Sequence, residues 1–552
     1  GQEPWSQEEM PLTKEIVDKA SKKSDLAIVI IARTAGEDQD TKREAGSYYL
    51  TKVEEQMLER VCASFEKVAV VLNVGNIIDM NWVDTDERSA VLYAWQGGQE
   101  GGNGVVDVLC GRLSPSGKLP DTIAKDIDDY PSTKNFGGEK EAIYEEDIYV
   151  GYRYFETFAK EKVRYPFGSG ISYTTFQLES QNFLEEENHI TLNVLVKNIG
   201  NYSGKEVVQI YSSAPQGQLG KPAIELKAYK KTKELAPGKE ELLSFLIPKS
   251  SLASYDDSGI TGNKSCYLLE AGEYRIFIGK DARELALAGT FTIEEKIVVE
   301  RLEEALAPVV SFKRLKPLKK DGKFVPSYEP VALRTINPMD KIKRNKPEDI
   351  EYTGDQGYKL VDVYDKKIEM KTFLAQLSDE DLTCIVRGEG MSSPKVTPGT
   401  ASAFGGVTKS LEGFGIPIAS CADGPSGIRM DCGTEAFSLP NGTAIGSTFN
   451  EELVETLYQM EGMELRKNNI DSLLGPGINI HRNPLNGRNF EYISEDPQLT
   501  GLMAKAQVKG LSYAGVVGTM KHFAGNNQEF HRRDLDSIVS ERALREIYLK
   551  GF

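Results

Sequence analysis

The chain opens on apolar runs that alternate with amphipathic stretches. A segment around Thr13 to Lys22 predicts a helix, and the apolar run Leu26 to Ala32 predicts a buried strand. Thr51 and Glu54 have capping-box spacing and start a second helix that reaches about Phe65. Runs at Val68 to Val74 and Ala90 to Ala94 read as two further strands, and Gly102 to Leu109 as a helix. Strand runs that are apolar throughout and separated by helices predict a parallel sheet covered on both faces, with its ligand edge at the carboxyl ends of the strands. Residues 1–175 are assigned to this α/β layer.

The period then changes. His189 to Val196 alternates polar and apolar residues, and similar runs recur near Val207, Glu241, Tyr274 and Thr290, divided by turn signals such as Ala236-Pro-Gly238. Residues 176–300 therefore read as an antiparallel β-sandwich. His189 faces outward in that reading and carries no chemistry. Pro308 to Pro347 holds six prolines and a basic cluster, Lys313 to Lys323, and the stretch 301–345 reads as a linker lying over acidic surfaces. Beyond it, Leu374 to Cys384 predicts a helix, Ser378 offers a cap to another, and Asn450 caps a helix from Glu451 to about Lys467. The short apolar runs Ile416 to Ser420, Ser472 to Leu474 and Val516 to Met520 each end in a glycine-rich charged loop, the pattern of the catalytic face of a β/α barrel. Residues 346–552 are assigned to the amino-terminal part of a TIM-type barrel.

A length of 552 residues calls for several domains, and a composition of 40% hydrophobic and 27% charged residues is that of soluble globular protein. The net charge of −17 argues against a nucleic-acid partner, and no apolar run is long enough for a membrane span. Six cysteines are scattered without zinc-type spacing, and sites such as Val-Leu-Cys110 suggest buried free thiols in a reducing, cytoplasmic setting.

The chemistry concentrates late in the chain. Three of the four histidines (His481, His522, His531) lie between 475 and 534, among Arg482, Arg488, Glu491, Glu495, Lys521, Glu529, Arg532 and Arg533. Asn, Arg and His make directional hydrogen bonds, so these loops read as a site rather than as solvated connections. The three histidines lack the spacing of a metal site, which ranks a metal-dependent hydrolase low. Earlier, the loop Thr34 to Glu44 follows the first strand at the ligand edge, and spacing alone leaves Glu37, Asp38, Asp40 and Glu44 open as candidate acids. The glycine run at 97–102 lacks the lysine of a phosphate loop and reads as backbone turns.

The stretches Asp423-Gly-Pro-Ser-Gly-Ile-Arg429, Gly487-Arg-Asn-Phe-Glu491 and Lys521-His-Phe-Ala-Gly-Asn-Asn-Gln-Glu529 resemble the sugar-binding signatures of glycoside hydrolase family 3, the β-glucosidase type. Gly151-Tyr-Arg-Tyr154 and Tyr165-Pro-Phe-Gly-Ser-Gly170 resemble the same family, and the sandwich is similar to its fibronectin type III-like domain. The resemblance implies a multidomain α/β protein with its domains in inverted order. It further implies a retaining exo-β-glucosidase working through two carboxylates without metal or cofactor. A β-linked oligosaccharide or an aryl or alkyl β-glucoside would be the substrate, and a homo-oligomer is compatible with the pattern. Among the candidate acids it selects Glu37 as acid/base, with Asp40 matching the loop's downstream Asp. It assigns Asp423, Arg429, Arg488, Lys521, His522 and Arg532 to the terminal sugar, and Glu529 to a place beside Lys521. The family's Ser-Asp-Trp stretch with the nucleophile is missing, since Trp5, Trp82 and Trp95 all lie in the first domain. Both ends read as cuts through domains, and the nucleophile is expected beyond Phe552. The alternatives are a β-xylosidase or broader β-glycosidase, and a carbohydrate-binding protein without catalysis.

Overall fold

A computed structural model describes residues 9–34, 36–83 and 89–552. Residues 1–8 with Trp5, and Ala35 in the candidate acid loop, lie outside them.

The α/β layer follows its predicted elements. Thr13 caps the helix Lys14–Ser21, and Thr51 and Glu54 close a complete capping box on the helix Lys52–Ser64. Strands Leu26–Ala32, Lys67–Asn73 and Ser89–Tyr93 pair in parallel in that order. Apolar side chains from the helix Lys52–Ser64 and the first two strands form one core, with Val29, Ile31, Val61 and Leu72 buried. One expectation is corrected here. The sheet is not covered on both faces at its edge, where Leu26, Ile28 and Ile30 of the first strand are exposed. Among the described residues that strand pairs with one neighbour only, at the edge of the sheet.

The sandwich sets a four-stranded antiparallel sheet against a three-stranded one. The strand His189–Asn198 alternates as read, its Ile190, Leu192, Val194 and Val196 fully buried in the inter-sheet core. His189 faces out and pairs with Glu186.

The stretch read as a linker is a β-hairpin. Strands Lys313–Lys320 and Lys323–Pro330 pair antiparallel around Asp321-Gly322, both at positive φ, as a two-residue hairpin turn of this twist requires. One of its basic residues finds an acid from a distant segment: Arg314 is buried against Asp257 at 2.7 Å, and also pairs with Glu329 of the hairpin itself at 2.9 Å. Leu315 donates its N–H to the Glu145 carbonyl at 2.7 Å, which stitches the hairpin to the α/β layer.

The last region is the TIM-type part. Strands Ile418–Asp423, Ser472–Leu474 and Val517–Gly518 pair in parallel, and Ser402–Gly405 joins the first of them antiparallel. Asn450 caps the helix Glu451–Lys467, which packs along the helix Pro497–Tyr513 on the outside of the sheet. The helix read over Leu374 to Cys384 is two helices, Met370–Leu374 and Asp379–Arg387, the second with a capping box on Ser378.

The barrel part and the α/β layer share a buried polar seam. Arg482 and Glu146 pair at 2.6 Å with both side chains almost wholly buried. Strand Asp536–Ile538 pairs in parallel with Glu141–Ile143 of the layer. Among the described residues no helix is long and apolar enough to cross a membrane. The six cysteines are free, but Cys110 and Cys432 are exposed, which corrects the expectation of burial at Cys110. Cys110 caps the end of a helix with no buried residue, so its apolar neighbours gave a misleading signal.

Candidate active site

The ends of the barrel strands meet the candidate acid loop of the α/β layer. Asp423 closes the strand Ile418–Asp423, and Lys521 follows Val517–Gly518 two strands away. Lys521 Nζ donates to Asp423 Oδ1 at 2.8 Å and lies 3.8 Å from Glu491 Oε2. Burial acts to raise the Asp423 carboxyl, but Lys521 and the Gly424 N–H outweigh it and hold the group below its ordinary value. Glu491 is more deeply buried, and burial raises it against the opposing pull of Lys521 and Arg488.

His522 adjoins Lys521 across a cis peptide bond. Asn479 fixes its backbone, accepting the His522 N–H at 2.7 Å and donating to the carbonyl at 2.9 Å. The ring places Nδ1 3.0 Å from the Tyr492 hydroxyl. Burial, then the cations Arg488 and Lys521, push the imidazole down to about 3, so it stays neutral near neutral pH.

Arg488 is buried and gives its Nε–H to Glu491. Its Nη1 donates to Glu37 Oε1 at 3.3 Å, and Arg532 Nη2 donates to the same oxygen at 2.9 Å. Arg532 also binds Glu529 and the Asp38 carboxylate. The sequence-predicted Glu37 is therefore brought against the barrel cluster by two arginines that are 451 and 495 residues away in the chain. Its side chain remains 45% accessible, open to an entering ligand.

Five of the six predicted sugar contacts (Asp423, Arg488, Lys521, His522, Arg532) thus assemble around Glu37. Arg429 gives its Nε–H to Asp431 at 2.9 Å and is largely exposed, while still close enough to feel the charges of Asp423 and Glu37. Glu529 does not orient Lys521 but pairs with Arg532 and accepts the Asp38 N–H at 3.0 Å. The histidines do not converge: His481 is buried with Nδ1 2.8 Å from Asp121, and His531 is a half-exposed neighbour of Asp534. No cluster of three metal-capable side chains exists among the described residues.

Sequence reading gives no role to Tyr492, Asn479 or Asn526, and none to Glu491 beyond its place in the window between 475 and 534. Glu491 stood inside a quoted motif and bridges Arg488 and Lys521. Asn526 donates to the Tyr492 hydroxyl at 2.9 Å and to Glu529 at 3.1 Å, a link no spacing rule would find.

The chain is similar to known proteins both as a whole and domain by domain. Residues 11–152 match the glycosyl hydrolase family 3 C-terminal domain, 206–282 the fibronectin type III-like domain, and 359–552 the glycosyl hydrolase family 3 N-terminal domain. A β-glucosidase of Ruminococcus albus is 54% identical over all of this chain and 58% of its own length. β-Glucosidase A of Butyrivibrio fibrisolvens is 40% identical over 99% of this chain and 72% of its own. The solved structure of a β-glucosidase from Paenibacillus barengoltzii superposes with a TM-score of 0.97 at 55% identity, over 100% of this chain and 61% of that one. The chain thus spans less than two thirds of the length of two of these relatives. On the family matches and the 40% identity across most of the Butyrivibrio protein, this chain belongs to glycosyl hydrolase family 3.

Proposed function

We propose that the protein is a retaining, exo-acting β-glucosidase that releases terminal non-reducing β-glucosyl residues. One observation carries the reading: an accessible Glu37 from the α/β layer, held by Arg488 and Arg532 over the Asp423–Lys521–Glu491–His522 cluster. A pyranose presents a ring of hydroxyls, and this cluster offers carboxylate acceptors, an ammonium, and a neutral imidazole at fixed positions. The relatives' names, all β-glucosidases, support glucose as the sugar.

In this reading the sugar's hydroxyls compete for the guanidinium N–H groups that hold Glu37. Its carboxyl then turns to the glycosidic oxygen, protonates the leaving group, and afterwards takes a proton from the attacking water. A second carboxylate, about 5 Å away, forms and releases the glycosyl-enzyme intermediate. The motifs singled out above contain no counterpart of that nucleophile. Free thiols throughout accord with a reducing, cytoplasmic setting.

The test is hydrolysis of p-nitrophenyl β-glucoside, p-nitrophenyl β-xyloside and cellobiose by the full-length protein and its Glu37→Gln variant. Glucoside turnover above xyloside, with the variant losing far more activity on cellobiose than on the activated glucoside, is expected. Equal loss on both glucosides would remove Glu37 from the acid/base role, and preference for the xyloside would make the enzyme a β-xylosidase.

A further inference from the structure

The loop bearing Glu37 is tied to the barrel by a carboxylate that takes no part in the chemistry described above. Asp40 Oδ1 accepts the N–H of Gly487 at 3.0 Å and of Glu529 at 2.9 Å, and Oδ2 accepts the N–H of Phe530 at 2.9 Å. Gly487 immediately precedes Arg488, and Glu529 and Phe530 lead directly into the turn that carries Arg532. A single side chain of the α/β layer therefore grips both barrel loops whose arginines hold Glu37.

Further ties run the same way. The Thr41 N–H donates to the Leu485 carbonyl at 2.8 Å, and the Asp38 N–H to the Glu529 carboxylate at 3.0 Å. Gly487 lies flat against the loop, and a Cβ there would run into the carbonyl oxygen of Gln39. All three donors on Asp40 are backbone N–H groups from segments more than 400 residues away, so its bonds serve the docking of the loop and not its internal turn.

We propose that Asp40 is the positioning residue for proton transfer, setting the height and register of the Glu37 carboxyl above the bound sugar. The inference rests on the assignment of Glu37 as acid/base. A carboxylate alone offers acceptors on both sides, whereas an amide in its place would turn its NH₂ group toward at least one of the three N–H donors. The loop would then lift or twist, and a displacement near 1 Å at a reacting group costs on the order of 10²-fold in rate. The cost falls where proton transfer matters: a poor leaving group needs the proton, and an activated phenolate does not.

The test compares wild type, Glu37→Gln, Asp40→Asn and Gly487→Ala in the full-length protein, on cellobiose and on 2,4-dinitrophenyl β-glucoside, with a thermal melt of each. For Asp40→Asn we expect kcat/KM on cellobiose to fall by about 30- to 100-fold and on the dinitrophenyl substrate by less than about 3-fold. Inhibition by glucose should be unchanged, and azide should accelerate the dinitrophenyl reaction as it does for Glu37→Gln. Gly487→Ala pushes the same contact from the barrel side and should show the same split, which keeps the test decisive if Asp40→Asn folds poorly. Equal losses on both substrates that follow the melting temperature would overturn the proposal and leave Asp40 a purely structural tie. If Glu37→Gln shows the split and neither other variant does, the role of Asp40 fails while that of Glu37 stands. If Glu37→Gln also lacks it, both fall.

Discussion

Lys521 and Asp423 meet at 2.8 Å across the width of the barrel sheet, with the strand Ser472–Leu474 between the strands they leave. Neither is isolated from the other's charge, and burial makes each depend on its partner. Asp423→Asn or Lys521→Met should each lower kcat/KM on a β-glucoside by about 10- to 100-fold, in line with about 1.5–3 kcal/mol for a hydrogen bond to a charged group. The double variant should lose much less than the product of the two, because each single change leaves one buried charge unpaired. Multiplicative losses in that cycle would show two independent sugar contacts.

His522 is the group whose ionisation departs furthest from habit. Held near 3, it contributes no limb to the pH–rate profile between about pH 4 and pH 9. His522→Gln should lower activity and leave the shape of the profile unchanged. The same depression acts on stability. The unfolded histidine takes up a proton below its ordinary value near 6.5 and the folded one does so only near 3. Its contribution is therefore complete above pH 6.5 and is lost as pH falls toward 3. Denaturant melts at pH 7 and pH 5 should show wild type losing more stability over that interval than His522→Gln.

Gly151 sits at φ +55° against the carboxylate of Glu495, and a Cβ there would overlap it. That carboxylate accepts the N–H of Tyr152 at 2.7 Å, and the N–H and hydroxyl of Thr122 at 2.9 and 2.7 Å. Gly151→Ala should destabilise by about 2–4 kcal/mol through positive-φ strain and the broken seam. A lower denaturant midpoint at constant slope is the expected signature. An unchanged midpoint would mean that the seam has slack enough to admit a methyl group.

What the sequence discloses here depends on how far apart the interacting residues lie. Thr51 with Glu54, Asn450 before its helix, and the alternation of His189 to Val196 act over a few residues, and each was legible. The Asp321-Gly322 turn was equally local, yet the prolines and lysines around it concealed two strands. Of the basic residues, Lys316 and Arg314 are held by Glu329, and Arg314 also by Asp257, which belongs to another segment. The family signatures single out Glu37 and Lys521, and the fold brings both to one cluster through Arg488, Arg532 and Glu491. The pairing of Arg429 with Asp431 was not legible, because nothing in a motif shows which carboxylate a guanidinium will take. The tie from Asp40 to three backbone N–H groups was invisible, since backbone donors carry no sequence label.

The seam between layer and barrel has a consequence for the family's history. Glu37 and the sugar cluster meet through hydrogen bonds and the pairing of Asp536–Ile538 with Glu141–Ile143, while the covalent path between them runs through the sandwich and the hairpin. On the proposed reading, the geometry of the site is thus indifferent to which domain a ribosome makes first. A gene rearrangement that swaps the two halves alters the order of synthesis and the loops that must be threaded, and leaves the reacting atoms where they were.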